Sequence, residues 1–215
     1  YMKHPRIIRI KADMVDQMDY DKILSMYQDR FKDASDFTFI FVGNVDVEKM
    51  KPVIAEYLGA LPAVNRKETF KDNKIEMRQG IYKNEFTKQQ ETPKASVFAF
   101  YNGDCKYDLR NNLLLSMTSQ ILDLVYTEKV REDEGGTYGV YVGGTLQKYP
   151  KEKAILQIIF DTAPEKKEKL MKIIFGEIDN ITKTGPSEAN LNKVKEYMLK
   201  KHTEDLKENS YWLGS

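Results

Sequence analysis

The chain has 215 residues, of which 41% are hydrophobic and 31% are charged, and its formal net charge is only +1. This length allows one large domain or two small ones, and so small a net charge gives no strong field to attract nucleic acid or an acidic membrane surface. No apolar run approaches the length of a bilayer-spanning helix. Cys105 is the only cysteine, which excludes an intrachain disulfide and a thiolate cluster for metal.

The N-terminal region, residues 1–62, predicts a helix, a strand and a helix. Asp19–Ala34 carries apolar residues at four-residue spacing behind an aspartate that can cap the helix. Phe37–Val42 is an apolar run of strand length. Because one strand cannot form a sheet, we expect this region to be the incomplete tail of a preceding α+β domain.

The second predicted helix, Val45–Leu58, contains a proline, Pro52. Proline removes a backbone donor and is best tolerated in the first turn of a helix. Two interpretations follow: either Asp46 caps a first turn that Pro52 kinks, or the regular helix begins near Pro52.

Residues 63–80 are rich in charge and poor in apolar side chains, which is typical of a linker. Residues 81–215 then predict a second domain with neighbouring strands that form an antiparallel sheet and helices on one of its faces. This is an α+β two-layer fold. Its predicted elements are the strands Ile81–Thr87, Ala95–Tyr101, Thr137–Gln147 and Lys153–Asp161, a long helix over Tyr107–Arg131, and two helices that begin at Pro164 and Ser187.

One segment of the second domain combines residues suited to catalysis. Arg131 and Tyr138 lie seven residues apart, where the long helix gives way to a strand, and Gly135-Gly136 between them allows a tight bend. A guanidinium can hold a carbonyl or carboxylate, and a phenol can donate to a developing oxyanion. A cation near a helix C-terminus and a tyrosine in a strand are also ordinary structural features.

Residues for a complete active site are missing from the sequence. The two histidines, His4 and His202, are far apart and neither begins an H-x-x-E-H or H-E-x-x-H motif. The sequence contains no G-x-S-x-G elbow and no phosphate-binding loop. We therefore expect no metal site on this chain.

Three motifs in order resemble the C-terminal part of the pitrilysin-type zinc metallopeptidases, the inverzincins. These are Phe37–Asp46 followed by the helix that ends in Tyr57–Pro62, the Val130–Gly139 segment with its arginine and tyrosine, and the ending Asn209–Trp212. The resemblance covers nearly the whole chain and is greatest to bacterial zinc proteases built from two tandem halves.

The resemblance implies a clam-shell of two halves, each with two α+β domains. Zinc is expected in the missing N-terminal half, with its H-x-x-E-H motif and its catalytic glutamate, and no cofactor is expected in this chain. The non-zinc half would close the chamber around an unstructured peptide. Alone it would be inactive, whereas the parent protein would be a zinc metalloendopeptidase.

The resemblance assigns roles to four residues. Arg131, with Gly135 and Gly136, would bind the substrate, and Tyr138 would polarise the scissile carbonyl or stabilise the oxyanion. The expected partner is the zinc-bearing half, as part of the same protein or as a partner subunit. The alternative is a catalytically silent scaffold or peptide-binding subunit. The compartment stays open, with bacterial periplasm or cell envelope preferred to cytoplasm.

Overall fold

The computed structural model describes residues 4–132 and 139–214, without the side chains of 131 and 132. The chain divides into two compact units. Unit 1 comprises Tyr1–Glu76 with His202–Ser215, and unit 2 comprises Met77–Lys201. The helices and strands, in chain order, are α1 (Tyr20–Phe31), α2 (Val47–Tyr57), β1 (Ala95–Asp104), α3 (Leu109–Tyr126), β2 (Val140–Gln147), β3 (Lys153–Thr162), α4 (Lys167–Thr184), α5 (Glu188–Asp205) and α6 (Asn209–Gly214).

Unit 1 is built on helices whose first turns are capped by aspartate. The Asp19 carboxylate accepts a hydrogen bond from the Lys22 amide at 3.0 Å at the start of α1. The Asp46 carboxylate accepts one from the Lys49 amide at 3.2 Å at the start of α2. Pro52 lies inside α2, so the helix begins at the Asp46 cap and not near Pro52.

Two predicted strands are wrong. Phe37–Val42 and Ile81–Thr87 are neither helix nor strand in the structure. A strand exists only where its backbone groups pair with those of a neighbour, and neither segment pairs with a strand in the described part of the chain. The apolar pattern favours a strand, but it does not supply the partner that a strand needs.

Unit 2 contains the antiparallel sheet that the sequence predicts. The strand order is β1-β3-β2, with β3 in the centre. Ala99 lies opposite Ile158 on one side of β3, and Val142 lies opposite Ile158 on the other. Ile158, which is buried in the core, therefore has an apolar neighbour on both flanking strands.

The hydrophobic core lies between one face of this sheet and the helices of unit 2. Ile158 and Phe160 of β3 are buried together with residues from α3, α4 and α5. Asp108 caps α3 by accepting a hydrogen bond from the Asn111 amide at 2.8 Å. Gly185, at φ 76°, follows α4 at its C-terminus, a backbone conformation that favours glycine. The predicted α+β class, with helices packed on an antiparallel sheet, is confirmed.

The long predicted helix over Tyr107–Arg131 is shorter and ends differently. Regular α3 stops at Tyr126, and a π-helical turn, Thr127–Glu132, follows it. Wide turns of this kind are rare and are found disproportionately at functional sites.

Candidate functional site

The segment with the predicted site residues lies between α3 and β2, and both of its flanks are anchored in the core. Val130, just before Arg131, is fully buried, and Val140, at the start of β2, is 9% exposed. Val140 lies opposite the buried Phe160 of β3. A buried valine therefore anchors the backbone on each side of the segment.

The end of α3 is tied to α4 by two polar contacts. The Tyr126 hydroxyl donates a hydrogen bond to the Ile174 carbonyl at 2.9 Å, and the Lys129 ammonium pairs with the Glu177 carboxylate at 2.6 Å. Burial raises the pKa of Tyr126 well above its ordinary value, as do the nearby Tyr101 and Glu177 to a smaller extent. A neutral, buried phenol is a stable donor, so this contact fixes the backbone that leads into Arg131.

The structure describes only part of the predicted site. The backbone of Arg131 belongs to the π-helical turn. Gly135, Gly136 and Tyr138 lie outside the described residues, and so does the side chain of Arg131. Their joint action on a substrate stays a prediction.

The sequence analysis missed a feature that adjoins this segment. Among the described residues, β2 lies at one edge of the sheet, with β3 beside it. Tyr141 on β2 is 55% exposed and lies opposite Ile159, which in turn lies opposite the exposed Phe98 of β1. Sequence reasoning recognised each strand but had no signal for the strand order, because spatial order depends on contacts between distant segments.

The described residues contain no group of three or more His, Cys, Asp or Glu side chains able to hold a metal ion. His4 accepts a hydrogen bond from the Arg6 amide at 3.2 Å, and the His202 ring lies against Tyr211 with a 3.3 Å contact between Nδ1 and the hydroxyl. Zinc therefore does not fit the part of the chain that the structure describes, and no chemical step of this chain is assigned to it.

Unit 1 contains a small cavity of about 140 Å³ lined by charged side chains. Arg66 pairs with Asp29 at 3.2 Å and with Glu68 at 2.8 Å, and Arg30 pairs with Glu68 at 2.7 Å. Because both guanidiniums are already paired with carboxylates, the cluster is suited to holding the chain together rather than to binding a charged ligand.

No helix within the described ranges is long and apolar enough to cross a membrane.

Comparison with known proteins gives one family and several relatives. The family model described as the peptidase M16 inactive domain matches residues 17–198. The chain is 23% identical to a zinc protease PQQL-like protein of Arabidopsis thaliana, over 95% of this chain and 23% of that protein. It therefore spans about a fifth of the length of this relative.

Two solved structures share the fold. The periplasmic protease PqqL of Escherichia coli superposes with a TM-score of 0.77 at 20% identity, over 94% of this chain and 22% of that one. The ferredoxin protease FusC, a mutant solved in complex with Arabidopsis ferredoxin, gives a TM-score of 0.65 at 14% identity, over 93% of this chain and 21% of that one.

Proposed function

This chain belongs to the peptidase M16 inactive domain family, and on that premise we propose that it is the metal-free C-terminal portion of a zinc-dependent metalloendopeptidase. The observation that carries the proposal is the family match over residues 17–198, which includes the whole segment from Arg131 to Tyr138. The coarser conclusion, a C-terminal domain of zinc protease-like proteins, follows from membership itself.

The proposed role is to complete the substrate chamber. The zinc-bearing half, elsewhere in the parent protein or on a partner subunit, would supply the metal and the activated water. This chain would contribute Arg131 to hold the peptide backbone and Tyr138 to stabilise the oxyanion. The buried flanks at Val130 and Val140 support this proposal, because a positioning residue acts only when its backbone is fixed.

The substrate would be an unstructured peptide, and the compartment would be the bacterial periplasm or cell envelope. The Escherichia coli relative is described as periplasmic, which supports this compartment. Subcellular fractionation tests this compartment, and recovery of the protein in the cytoplasmic fraction would contradict it.

A catalytically silent scaffold or peptide-binding subunit is the second candidate. The family description, an inactive domain, favours it. The presence of both Arg131 and Tyr138 at their spacing favours the first, because a scaffold needs neither side chain.

The deciding experiment measures hydrolysis of an unstructured fluorogenic peptide by the zinc-bearing half, with and without this chain. We expect strong activation, and a loss of about 10²–10³ in turnover for Tyr138→Phe, the magnitude found when one oxyanion donor is removed. Arg131→Ala should weaken substrate binding and turnover together.

Tyr149→Phe is the matched control, because Tyr149 is 69% exposed and lies beyond β2. It should leave activation unchanged. If a mixture shown to form the complex gives no activation, the silent scaffold becomes the better interpretation and the arginine and tyrosine have structural roles only.

A further inference from the structure

The turn that follows α3 is wider than the turns of the helix itself. Regular α3 ends at Tyr126, and Thr127–Glu132 forms a π-helical turn. A π turn contains one residue more than an α turn, because its hydrogen bonds span five residues rather than four. The backbone of Arg131 belongs to this turn, so the register of the turn determines where that backbone lies.

The buried residues at the end of α3 show why the α register does not continue. Val125 and Tyr126 are both buried, at 8% and 1% exposure. In an α-helix each residue is rotated by about 100° from the one before it. If α3 continued, Lys129 would lie about 40° from Val125 and about 60° from Tyr126, between the two. Its ammonium would then lie on the buried side of the helix, where an unpaired charge is strongly disfavoured.

The π turn removes this conflict because its extra residue exchanges two neighbours. Val130 takes the buried position and is fully buried, whereas the Lys129 side chain is 45% exposed. The Lys129 ammonium lies 2.6 Å from the carboxylate of Glu177 on α4. The π register therefore gives the core an apolar side chain and gives the cation a partner.

A second contact joins the same surfaces of the two helices. The Tyr126 hydroxyl donates to the Ile174 carbonyl at 2.9 Å. Tyr126 precedes Lys129 by three residues and Ile174 precedes Glu177 by three, and residues at this spacing share one face of a helix. The hydrogen bond thus fixes the end of α3 on α4, and the ion pair fixes the turn that follows it.

We infer that Lys129 is a positioning residue that holds Thr127–Glu132 in the π register and so fixes the backbone of Arg131. The inference deepens the proposed function and rests on it, because Arg131 is the proposed substrate-binding residue. A return to the α register would rotate the backbone at residue 131 by roughly 100° about the helix axis and move it about 1.5 Å along that axis. A displacement of about 1 Å can lower turnover by about 10²-fold.

Lys129→Leu tests the register, because a leucine side chain can be buried where an ammonium cannot. The measurement is the NMR coupling across backbone hydrogen bonds, made on this chain alone. In the π register the amide of residue 131 donates to the carbonyl of Tyr126, whereas in the α register it donates to that of Thr127. We expect the Tyr126 coupling in the unsubstituted chain and in Lys129→Arg, which keeps the charge, and the Thr127 coupling in Lys129→Leu.

Peptide hydrolysis with the zinc-bearing half tests the positioning role. Lys129→Leu should lower kcat/KM by at least about tenfold, and Lys129→Arg should restore most of it. Circular dichroism verifies that each variant is folded, so that the loss reflects the register and not unfolding. Lys195→Leu, at an exposed lysine of α5, is the matched control and should leave both the coupling and the hydrolysis unchanged.

Persistence of the Tyr126 coupling in Lys129→Leu would overturn the inference, because another interaction would then set the register. Unchanged hydrolysis by a variant that has changed register, or an equal loss in Lys195→Leu, would overturn the positioning role. If the unsubstituted chain gives no activation, the proposed function fails. The NMR measurement needs no zinc-bearing half, so it still decides whether Lys129 sets the register.

Discussion

The two units of this chain are held together by different forces. The eleven buried hydrophobic residues that the structure describes all belong to unit 2. In the described part of unit 1, the one buried residue is a charged one, Asp33, at 6% exposure. Unit 2 therefore resembles a self-sufficient two-layer domain, and unit 1 has helices without a second layer to bury their apolar faces.

Unit 1 is organised around the Asp33 carboxylate. It accepts hydrogen bonds from the backbone amides of Ser35 and Val64, both at 3.0 Å, and of Arg66 at 2.6 Å, together with a short one from the Ser35 hydroxyl. These contacts connect the end of α1 to a segment some thirty residues later. Several charge-assisted hydrogen bonds at one carboxylate can order a loop where apolar burial is small.

The aromatic residues of unit 1 are in contact with one another but, unlike the core residues of unit 2, are not buried. Tyr27 and Phe31 have ring centroids 4.5 Å apart, and Phe31 and Phe37 have centroids 5.9 Å apart. Phe31 nevertheless remains 56% exposed and Tyr27 59% exposed. The rings contact one another without leaving water, so they contribute less to stability than the buried side chains of unit 2.

The largest expected difference between the units comes from truncating one isoleucine in each. Ile158→Ala, in the fully buried centre of β3, should lower the free energy of unfolding by about 2–5 kcal/mol. Ile40→Ala, where the residue is 63% exposed, should change it by less than about 0.5 kcal/mol. Chemical denaturation of both variants measures the difference, and equal costs would contradict the contrast between the units.

A glycine pair tests the packing of α3 on β2. A Cβ at Gly144 would lie 2.6 Å from the Ser119 Oγ and 2.7 Å from the Leu115 Cγ, whereas one at Gly103 meets nothing within 4 Å. Gly144→Ala should therefore cost about 1–3 kcal/mol, and Gly103→Ala should cost little. Thermal unfolding followed by circular dichroism compares them; a tolerated Gly144→Ala would mean that the helix lies farther from the strand.

Tyr126→Phe should have a smaller effect that depends on pH. Loss of its hydrogen bond to Ile174 should cost about 0.5–1.5 kcal/mol near neutral pH. Because the pKa of Tyr126 is raised in the folded state, its contribution is complete below the unfolded value of about 10 and is lost as pH rises above it. Urea titrations across this range should show a steeper alkaline loss in the parent chain than in the variant. Parallel curves would refute the assignment.

Asp33→Asn should have the smallest effect on the free energy of unfolding of the whole chain, because the Asp33 carboxylate contacts residues of unit 1. The pKa of Asp33 is lowered, first by the Ser35 hydroxyl and then by the backbone amides of Val64 and Arg66. Its contribution is therefore complete above the unfolded value of about 4 and is lost as pH falls below it.

The measurement for Asp33 is hydrogen exchange of the amides of Val64 and Arg66. Exchange at both should accelerate in Asp33→Asn at neutral pH, and in the parent chain only after acidification. Asp36→Asn, at the nearby exposed aspartate, is the control and should leave both amides protected. Faster exchange in the core of unit 2 would show that the carboxylate supports more than unit 1.

Local signals predicted much of the secondary structure. Asp19 caps α1 as predicted, and Asp46 caps α2 as one of the two interpretations predicted. The predicted strand Lys153–Asp161 matches β3 to within one residue. Each of these features depends on residues close together in the chain, so it can be predicted from the sequence alone.

Features that depend on contacts between distant segments could not be predicted from the sequence in this way. Phe37–Val42 and Ile81–Thr87 have the apolar patterns of strands, but neither forms a strand in the structure. A strand requires a partner with which to pair. The candidate site was found through family resemblance, on residues whose arrangement stays a prediction. The position of β2 at one edge of the described sheet was missed, since it depends on which strand became central.

The sequence by itself determined the helices, their caps, the α+β class and a segment with an arginine and a tyrosine at a fixed spacing. Tertiary structure alone decided that β3 is central, that β2 pairs with β3 alone in the described part of the chain, and that the described core residues lie in unit 2. The physical reason is the range of the interactions. Capping and periodicity act within a few residues, whereas strand order and burial depend on contacts between segments far apart in the chain.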